Sequence, residues 1–138
     1  MASIIFDSFW DDLQKGNIDL DTDTFKAMLT TASYAESKGS HLKRSDITDE
    51  VTGTGYTAGG SAVTFTLTPD LVNNQQNAAY SDQAFATSTI TARKQVVYKS
   101  RGGAASADEL VCVNDFGSDV ISSGGTLTIK GSTIRVQN

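Results

Sequence analysis

Short runs in which apolar and polar residues alternate recur through most of this sequence. The clearest run is residues 62–68, where Val63, Phe65 and Leu67 fall on one side and threonines fall on the other. Alternation with a period of two residues is typical of a strand with one buried face. Turn residues such as Gly, Asn, Asp and Ser separate the runs. The pattern predicts an all-β fold, namely an antiparallel β-sandwich of about eight strands.

The apolar members of these runs predict the core. Residues 110–113, Leu-Val-Cys-Val, form a continuous apolar run. Such a run is expected of a strand that is covered on both faces. Its cysteine, Cys112, is predicted to be a small buried side chain. We expect ten residues on the inward face of the sandwich: Phe25, Leu29, Val63, Phe65, Leu67, Val97, Val111, Val113, Leu127 and Ile129.

One short helix is predicted near the start of the sequence. Four apolar residues recur there at helical spacing: Phe6, Phe9, Trp10 and Leu13. The spacing predicts an amphipathic helix over residues 7–15, with Asp7 as its cap and Gly16 closing its end. The rest of the sequence contains no internal repeat and no linker, so residues 1–138 are expected to form a single domain.

The charge of the chain excludes one class of partner. The sequence has 16 acidic residues against 11 lysines and arginines, which gives a net charge of −5 at pH 7. An acidic surface repels phosphate, so we expect no direct binding to nucleic acid. No apolar run approaches the roughly 18 residues of a membrane span, and no basic segment precedes an apolar one as in a signal peptide. We therefore expect synthesis in the cytoplasm and no membrane partner.

Metal and cofactor sites are not predicted. The single Cys and the single His exclude an intramolecular disulfide, a cysteine zinc site and a His cluster. Asp19, Asp21 and Asp23 have the spacing of a calcium loop, but Thr24 and Thr30 stand where the loop needs Gly and Glu. We expect these carboxylates to accept backbone N–H bonds in a turn. No catalytic residues are predicted either, because the sequence shows no pair of carboxylates outside a turn context.

Five segments, taken in order, carry a resemblance to a known family. They are Phe6-x-x-x-Trp10-x-x-Leu13-x-x-Gly16-x-Ile18-Asp19, the run 21–29, the run 50–60, Val97-Tyr98-Lys99 and Asp115-Phe116-Gly117. The series resembles small structural proteins of tailed bacteriophages, and most closely the capsid cement, or head decoration, proteins of short-tailed phages.

The resemblance implies a jelly-roll-like sandwich with a non-enzymatic role. Such a protein binds the outside of the major capsid protein shell in the virion, forms a dimer or trimer there, and reinforces the shell. It is made in the cytoplasm of the host bacterium. Two other functions stay open: a tail or neck component of the virion, and a carbohydrate-binding module on its surface. The latter needs exposed aromatic side chains.

Two segments are predicted to contact the partner. The first is an apolar patch beside a flexible N-terminus, made of Ile4, Ile5, Phe6 and Trp10. The second is a long polar loop around Lys43 and Arg44, whose positive charges could pair with carboxylates on the shell. If the first segment is a separable anchor, deletion of residues 2–6 should leave a folded protein that no longer binds.

Overall fold

The structure is a computed structural model that describes residues 3–137. The strands are β1 (Ile4–Ile5), β2 (Phe25–Thr30), β3 (Ser61–Val63), β4 (Phe65–Asp70), β5 (Gln75–Tyr80), β6 (Gln83–Ser88), β7 (Thr91–Lys99), β8 (Leu110–Ile121), β9 (Gly125–Ile129) and β10 (Thr133–Gln137). One α-helix, α1, spans Asp7–Gln14. Two short 3₁₀ turns lie at Arg44–Asp46 and Ala105–Ala107.

The strands form three antiparallel sheets. The largest has five strands in the order β1-β8-β7-β2-β3, the second has three in the order β10-β5-β4, and the third pairs β6 with β9. All strand pairings among residues 3–137 are antiparallel. The prediction of an all-β, sandwich-like fold with one short helix is confirmed. The jelly-roll connectivity stays a prediction.

The main core lies between the five-stranded sheet and the two smaller sheets. Phe25, on the five-stranded sheet, packs edge to face against Phe65 of the three-stranded sheet with ring centroids 4.9 Å apart. Phe65 in turn contacts Tyr80 at 5.6 Å. Leu29 and Phe85 belong to a neighbouring cluster between the five-stranded and two-stranded sheets. Burial of this apolar surface is the main term that holds the sheets together.

The segment between β2 and β3 covers the outer face of the five-stranded sheet. Tyr34 is buried there in a cluster with Met28 and Val96. Lys94 of β7 is also buried, and its ammonium donates to the Tyr34 carbonyl and to Glu36. The five-stranded sheet is therefore covered on both faces, as residues 110–113 predicted. The segment that the sequence indicated as a long loop is a packed layer in its first half.

The helix forms as predicted, but its start differs in detail. Phe6 occupies the cap position without a side-chain hydrogen bond, and Asp7 is the first helical residue rather than the cap. Gly16 follows the helix with a φ of 78°, and its N–H bonds to the Leu13 carbonyl. Phe9 is buried against the main core. No helix among residues 3–137 is long and apolar enough to cross a membrane.

The predicted inward face is largely correct. Eight of the ten residues are buried, Leu127 is half-buried, and Leu67 is 38% exposed. Of the buried eight, Val113 packs in the cluster on the outer face of the five-stranded sheet, so the prediction of an inward position is wrong for it. The prediction for Leu67 is wrong because β4 continues beyond the part of the five-stranded sheet that covers its apolar face. Alternation assigned Leu67 to the same face as Phe65, which the structure bears out, but that face is uncovered at Leu67.

Candidate protein interaction surface

The apolar face of the three-stranded sheet extends past the core into solvent. Leu67 of β4 is in register with Ala78 of β5, which pairs with Ile134 of β10. Ala78 and Ile134 are buried, whereas Leu67 is exposed and Val136, two residues along β10, is 48% exposed. The sheet thus presents apolar side chains where the facing sheet has ended. We call this region, with Leu67, Ile134 and Val136 at its centre, the open face.

A groove runs between the open face and the N-terminal helix. Its volume is about 390 Å³, a size typical of ligand pockets. Its apolar lining includes Phe9, Trp10, Leu13, Leu20, Leu67 and Val136. Phe9 and Trp10 lie on one wall with ring centroids 5.0 Å apart. Helix, sheet and the segment before β2 therefore each contribute one apolar wall.

The hairpin tip between β4 and β5 continues the apolar surface. Leu71 is 85% exposed and Val72 is 90% exposed. The Asp70 carboxylate accepts N–H bonds from Val72 and Asn73, at 3.1 Å each, and a third from the Asn73 side chain at 2.8 Å. These hydrogen bonds hold the pKa of Asp70 below its usual range. The turn is thus held in shape by Asp70 while its two aliphatic side chains point away from the protein.

Large exposed apolar side chains that cluster in this way mark interaction sites in soluble proteins. The other exposed aliphatic residues, Leu42 and Ile121, line neither this groove nor the surface beside the hairpin tip. The open face, the groove and the tip together form the candidate interaction surface of this protein.

The four predicted N-terminal contact residues, Ile4, Ile5, Phe6 and Trp10, do not form one exposed patch in the structure. Phe6 is fully buried, and its N–H donates to the Val111 carbonyl at 3.1 Å. Ile4 and Ile5 form β1, paired with β8, and are half-buried. The expected flexible patch is therefore an edge strand of the main sheet. Trp10 is half-buried and lines the groove, so it alone of the four joins the candidate surface.

The deletion hypothesis for residues 2–6 is corrected by the same contacts. Ala2 lies outside the described residues, but residues 3–6 supply a strand and a fully buried Phe6. Removing a buried Phe side chain costs about 3–5 kcal/mol. The deletion is therefore expected to destabilise the fold, and it cannot separate binding from folding.

The predicted basic loop does not present free charges. Arg44 Nε lies 2.7 Å from Asp108 Oδ2, and the Arg44 guanidinium stacks over the Tyr98 ring at 5.0 Å. Lys43 Nζ lies 4.0 Å from the buried carboxylate of Glu109. These pairs tie the beginning of the first 3₁₀ turn to the residues just before β8. Both side chains thus have carboxylate partners within the fold, and their role as partner contacts stays a prediction.

The aspartate run behaves as a turn, as predicted. Asp19 Oδ1 accepts N–H bonds from Asp21 and Thr22, at 2.9 and 3.3 Å. Asp23 accepts from the Asp19 N–H at 2.7 Å and pairs with Lys99 at 2.8 Å. Within residues 3–137 no group of three or more His, Cys, Asp or Glu side chains is placed to hold a metal ion.

The one thiol is protected by its surroundings. Cys112 lies in the main core, and burial raises its pKa to about 12. A thiol with so high a pKa is almost entirely protonated at neutral pH, and the thiolate is the reactive form. Cys112 therefore behaves as a small core residue, as the sequence predicted.

Sequence reasoning missed most of the candidate surface. Leu71, Val72 and Val136 were not predicted, and Leu67 was assigned to the core. One signal was present: Leu71 and Val72 stand between Pro69-Asp70 and Asn73-Asn74, inside a segment of turn residues. Two aliphatic residues within a turn have no neighbouring strand to bury them, so they are exposed when the turn forms.

Comparisons of this chain with protein-family models, with curated proteins and with solved structures found no match.

Proposed function

We propose that this protein is a non-enzymatic structural protein of a tailed-phage virion, which binds the outside of the major capsid protein shell and stabilises it. The proposal joins the resemblance carried by the five sequence segments to one structural observation. That observation is the uncovered apolar surface around Leu67, Val136 and the hairpin tip. A surface of this kind serves a protein whose work is to bind another protein.

The arrangement suits a decoration role in two ways. The apolar side chains lie on a sheet and on a turn held by Asp70, so little conformational entropy is lost when a partner covers them. The surface is also extended rather than a single deep pocket. Contacts of this type, repeated over many copies on a symmetric shell, add up to firm attachment.

The carbohydrate-binding alternative receives less support from the structure. Sugar recognition needs aromatic rings open to solvent, and Tyr34, Tyr80 and Tyr98 are all buried. Tyr56 is half-buried, with its hydroxyl engaged by Glu50. Phe9 and Trp10 are the aromatic side chains that line the groove, but Phe9 is fully buried and the other apolar lining residues are aliphatic.

The test is to locate and count the protein in virions of the phage that encodes it. Quantitative mass spectrometry of purified virions is expected to give hundreds of copies, and antibody labelling in electron micrographs is expected to mark the head. A few copies at the neck or tail would contradict the capsid assignment, and absence from virions would contradict the proposal as a whole.

A paired variant tests the surface itself. Leu67→Ser with Val136→Ser is expected to abolish rebinding to shells that lack the protein, because it makes the open face polar. Ile121→Ser is the matched control, since Ile121 is 69% exposed and lies elsewhere. If the double variant folds and binds shells as well as the control, the open face is not the contact.

A further inference from the structure

A second groove lies between the open edges of two sheets. β1 is an edge strand of the five-stranded sheet, and β10 is an edge strand of the three-stranded sheet. Residues 3–5 and residues 132–135 both line this groove, which has a volume of about 410 Å³. Trp10 and Cys112 also line it. We call it the edge groove.

Among residues 3–137, β10 pairs only with β5, and its other edge, here called the free edge, is suited to accept another strand. An unpaired edge presents backbone N–H and C=O groups, and proteins usually blunt it with proline, lysine, a bulge or short length. β10 runs over five residues, Thr133–Gln137, in unbroken register with β5 and contains neither proline nor lysine. By contrast, β4 at the other edge carries Pro69, and β1 and β3 are only two and three residues long.

The charges around the edge groove point to an acidic occupant. Eight of the chain's 11 lysines and arginines form ion pairs with carboxylates within residues 3–137. The other three, Lys26, Lys38 and Arg135, do not pair with a carboxylate of that range, and Lys38 and Arg135 both line the edge groove. Within residues 3–137, Arg135 Nε donates to the Asn77 side chain, at 3.0 Å. No Asp or Glu is among the lining residues.

We propose that the edge groove binds an extended, acidic segment of a partner protein, which adds to β10 as a further strand. Backbone hydrogen bonds to the free edge of β10 provide the attachment, as in other cases of strand addition. Carboxylates of the segment pair with Lys38 and Arg135. Apolar side chains on its inner face contact Ile5, Trp10 and Ile134. The edge groove shares Trp10 and Ile134 with the groove beside the open face, but Lys38 and Arg135 line the edge groove alone. The proposal rests on those two charges and on the backbone edge of β10, so it does not depend on shell binding.

The probe is an acetylated, amidated peptide of sequence Thr-Val-Glu-Val-Glu-Val-Glu-Thr. Trp10 is the single tryptophan and lines the edge groove, so its emission reports on binding. Saturable binding is expected at low ionic strength. The same peptide with lysine in place of glutamate is expected to bind at least tenfold more weakly. A version with N-methylated valines and glutamates is expected to lose binding, because it lacks the backbone donors along either edge of the peptide.

A charge-matched pair of variants locates the site. The double variant Lys38→Glu with Arg135→Glu is expected to bind the glutamate peptide at least tenfold more weakly than the unchanged protein does. It is expected to bind the lysine peptide more tightly. The control is Lys15→Glu with Lys130→Glu, which makes the same change in net charge at two exposed surface pairs. The affinity of the control for the glutamate peptide is expected to stay within about threefold of that of the unchanged protein, since neither lysine lines the edge groove. The control is also expected to stay folded, since exposed ion pairs contribute little to stability.

Three results would overturn the proposal. The first is no saturable binding of the glutamate peptide, the second is equal binding of its N-methylated version, and the third is equal loss in both double variants. Sedimentation of the protein alone tests whether a second copy of the protein occupies the groove instead. A dimer that the Lys38 and Arg135 variant dissociates and the control does not would assign the groove to a second copy, and would also overturn the proposal.

Discussion

Phe65→Ala is expected to be among the most destabilising single changes in the main core. Phe65 is only 7% exposed and lies between two aromatic rings, those of Phe25 and Tyr80. Truncation of a buried Phe costs about 3–5 kcal/mol through lost transfer energy and the cavity left behind. That range already contains lost aromatic pairs, each worth about 0.5–1.5 kcal/mol beyond burial, and the loss of two such pairs favours its upper part. We therefore expect a loss of about 4–5 kcal/mol in the free energy of unfolding.

Leu67→Ala is the matched comparison on the same strand and the same face. Leu67 is 38% exposed and borders an open groove, so its truncation leaves no closed cavity. We expect a loss of about 1 kcal/mol, which is the transfer term for a partly buried side chain. Two substitutions two residues apart thus differ about fourfold because the facing sheet covers only one of them.

Urea denaturation followed by Trp10 fluorescence measures both values. With an m-value of about 2 kcal/mol/M, Phe65→Ala should lower the midpoint by about 2 M and Leu67→Ala by about 0.5 M. Equal m-values for the two variants and the unchanged protein serve as the control for two-state behaviour. A loss below about 1.5 kcal/mol for Phe65→Ala, or equal losses for the two variants, would refute the account of where the core ends.

Three further changes test other parts of the structure. Arg44→Ala is expected to cost about 3 kcal/mol in urea denaturation because it leaves Asp108 buried and unpaired; the double variant with Asp108→Ala should recover part of that loss, and no recovery would contradict the pairing. N–H bonds from the backbone lower the pKa of Asp46, so its contribution to stability is present above the usual Asp pKa of about 4 and lost as pH falls below it. Asp46→Ala should therefore flatten the dependence of the melting temperature on pH in that range. An unchanged profile would contradict this. Gly60→Ala should prevent normal folding, since a Cβ at φ 75° would lie 1.8 Å from the Ala27 carbonyl oxygen. The added Cβ of Gly102→Ala meets no atom within 4 Å, so this variant should lose far less stability in thermal melts followed by circular dichroism. Similar melts for the two variants would be evidence against this packing.

The sequence predicted the class of fold because alternation is a local property of each strand. Val63 and Phe65 are buried on the same side, and residues 110–113 are covered on both faces, as their patterns indicated. Alternation does not tell how far the opposite layer extends. Leu67 was assigned to the core for this reason, although it is on the predicted face.

The candidate site depended on contacts between distant parts of the chain. The sequence predicts Arg44 as a partner contact, but it does not reveal that Asp108, which is 64 residues away in the sequence, lies beside it in the fold. Phe6 has the spacing of the helical stripe, yet it precedes the helix and packs into the cluster on the outer face of the five-stranded sheet. Neither pairing leaves a local signal in the sequence.

The uncovered apolar surface has a consequence for the colloidal behaviour of the free protein. Leu71 and Val72 stand almost fully in water on a chain with a net charge of −5 and an isoelectric point near 4.6. At neutral pH, mutual repulsion between copies opposes adhesion through these side chains. Salt at 1 M shortens the range of that repulsion to about 3 Å, and a pH near the isoelectric point removes the repulsion. Excess negative charge thus keeps unattached copies dispersed, and a partner surface of opposite local charge would meet them with their apolar side chains still available.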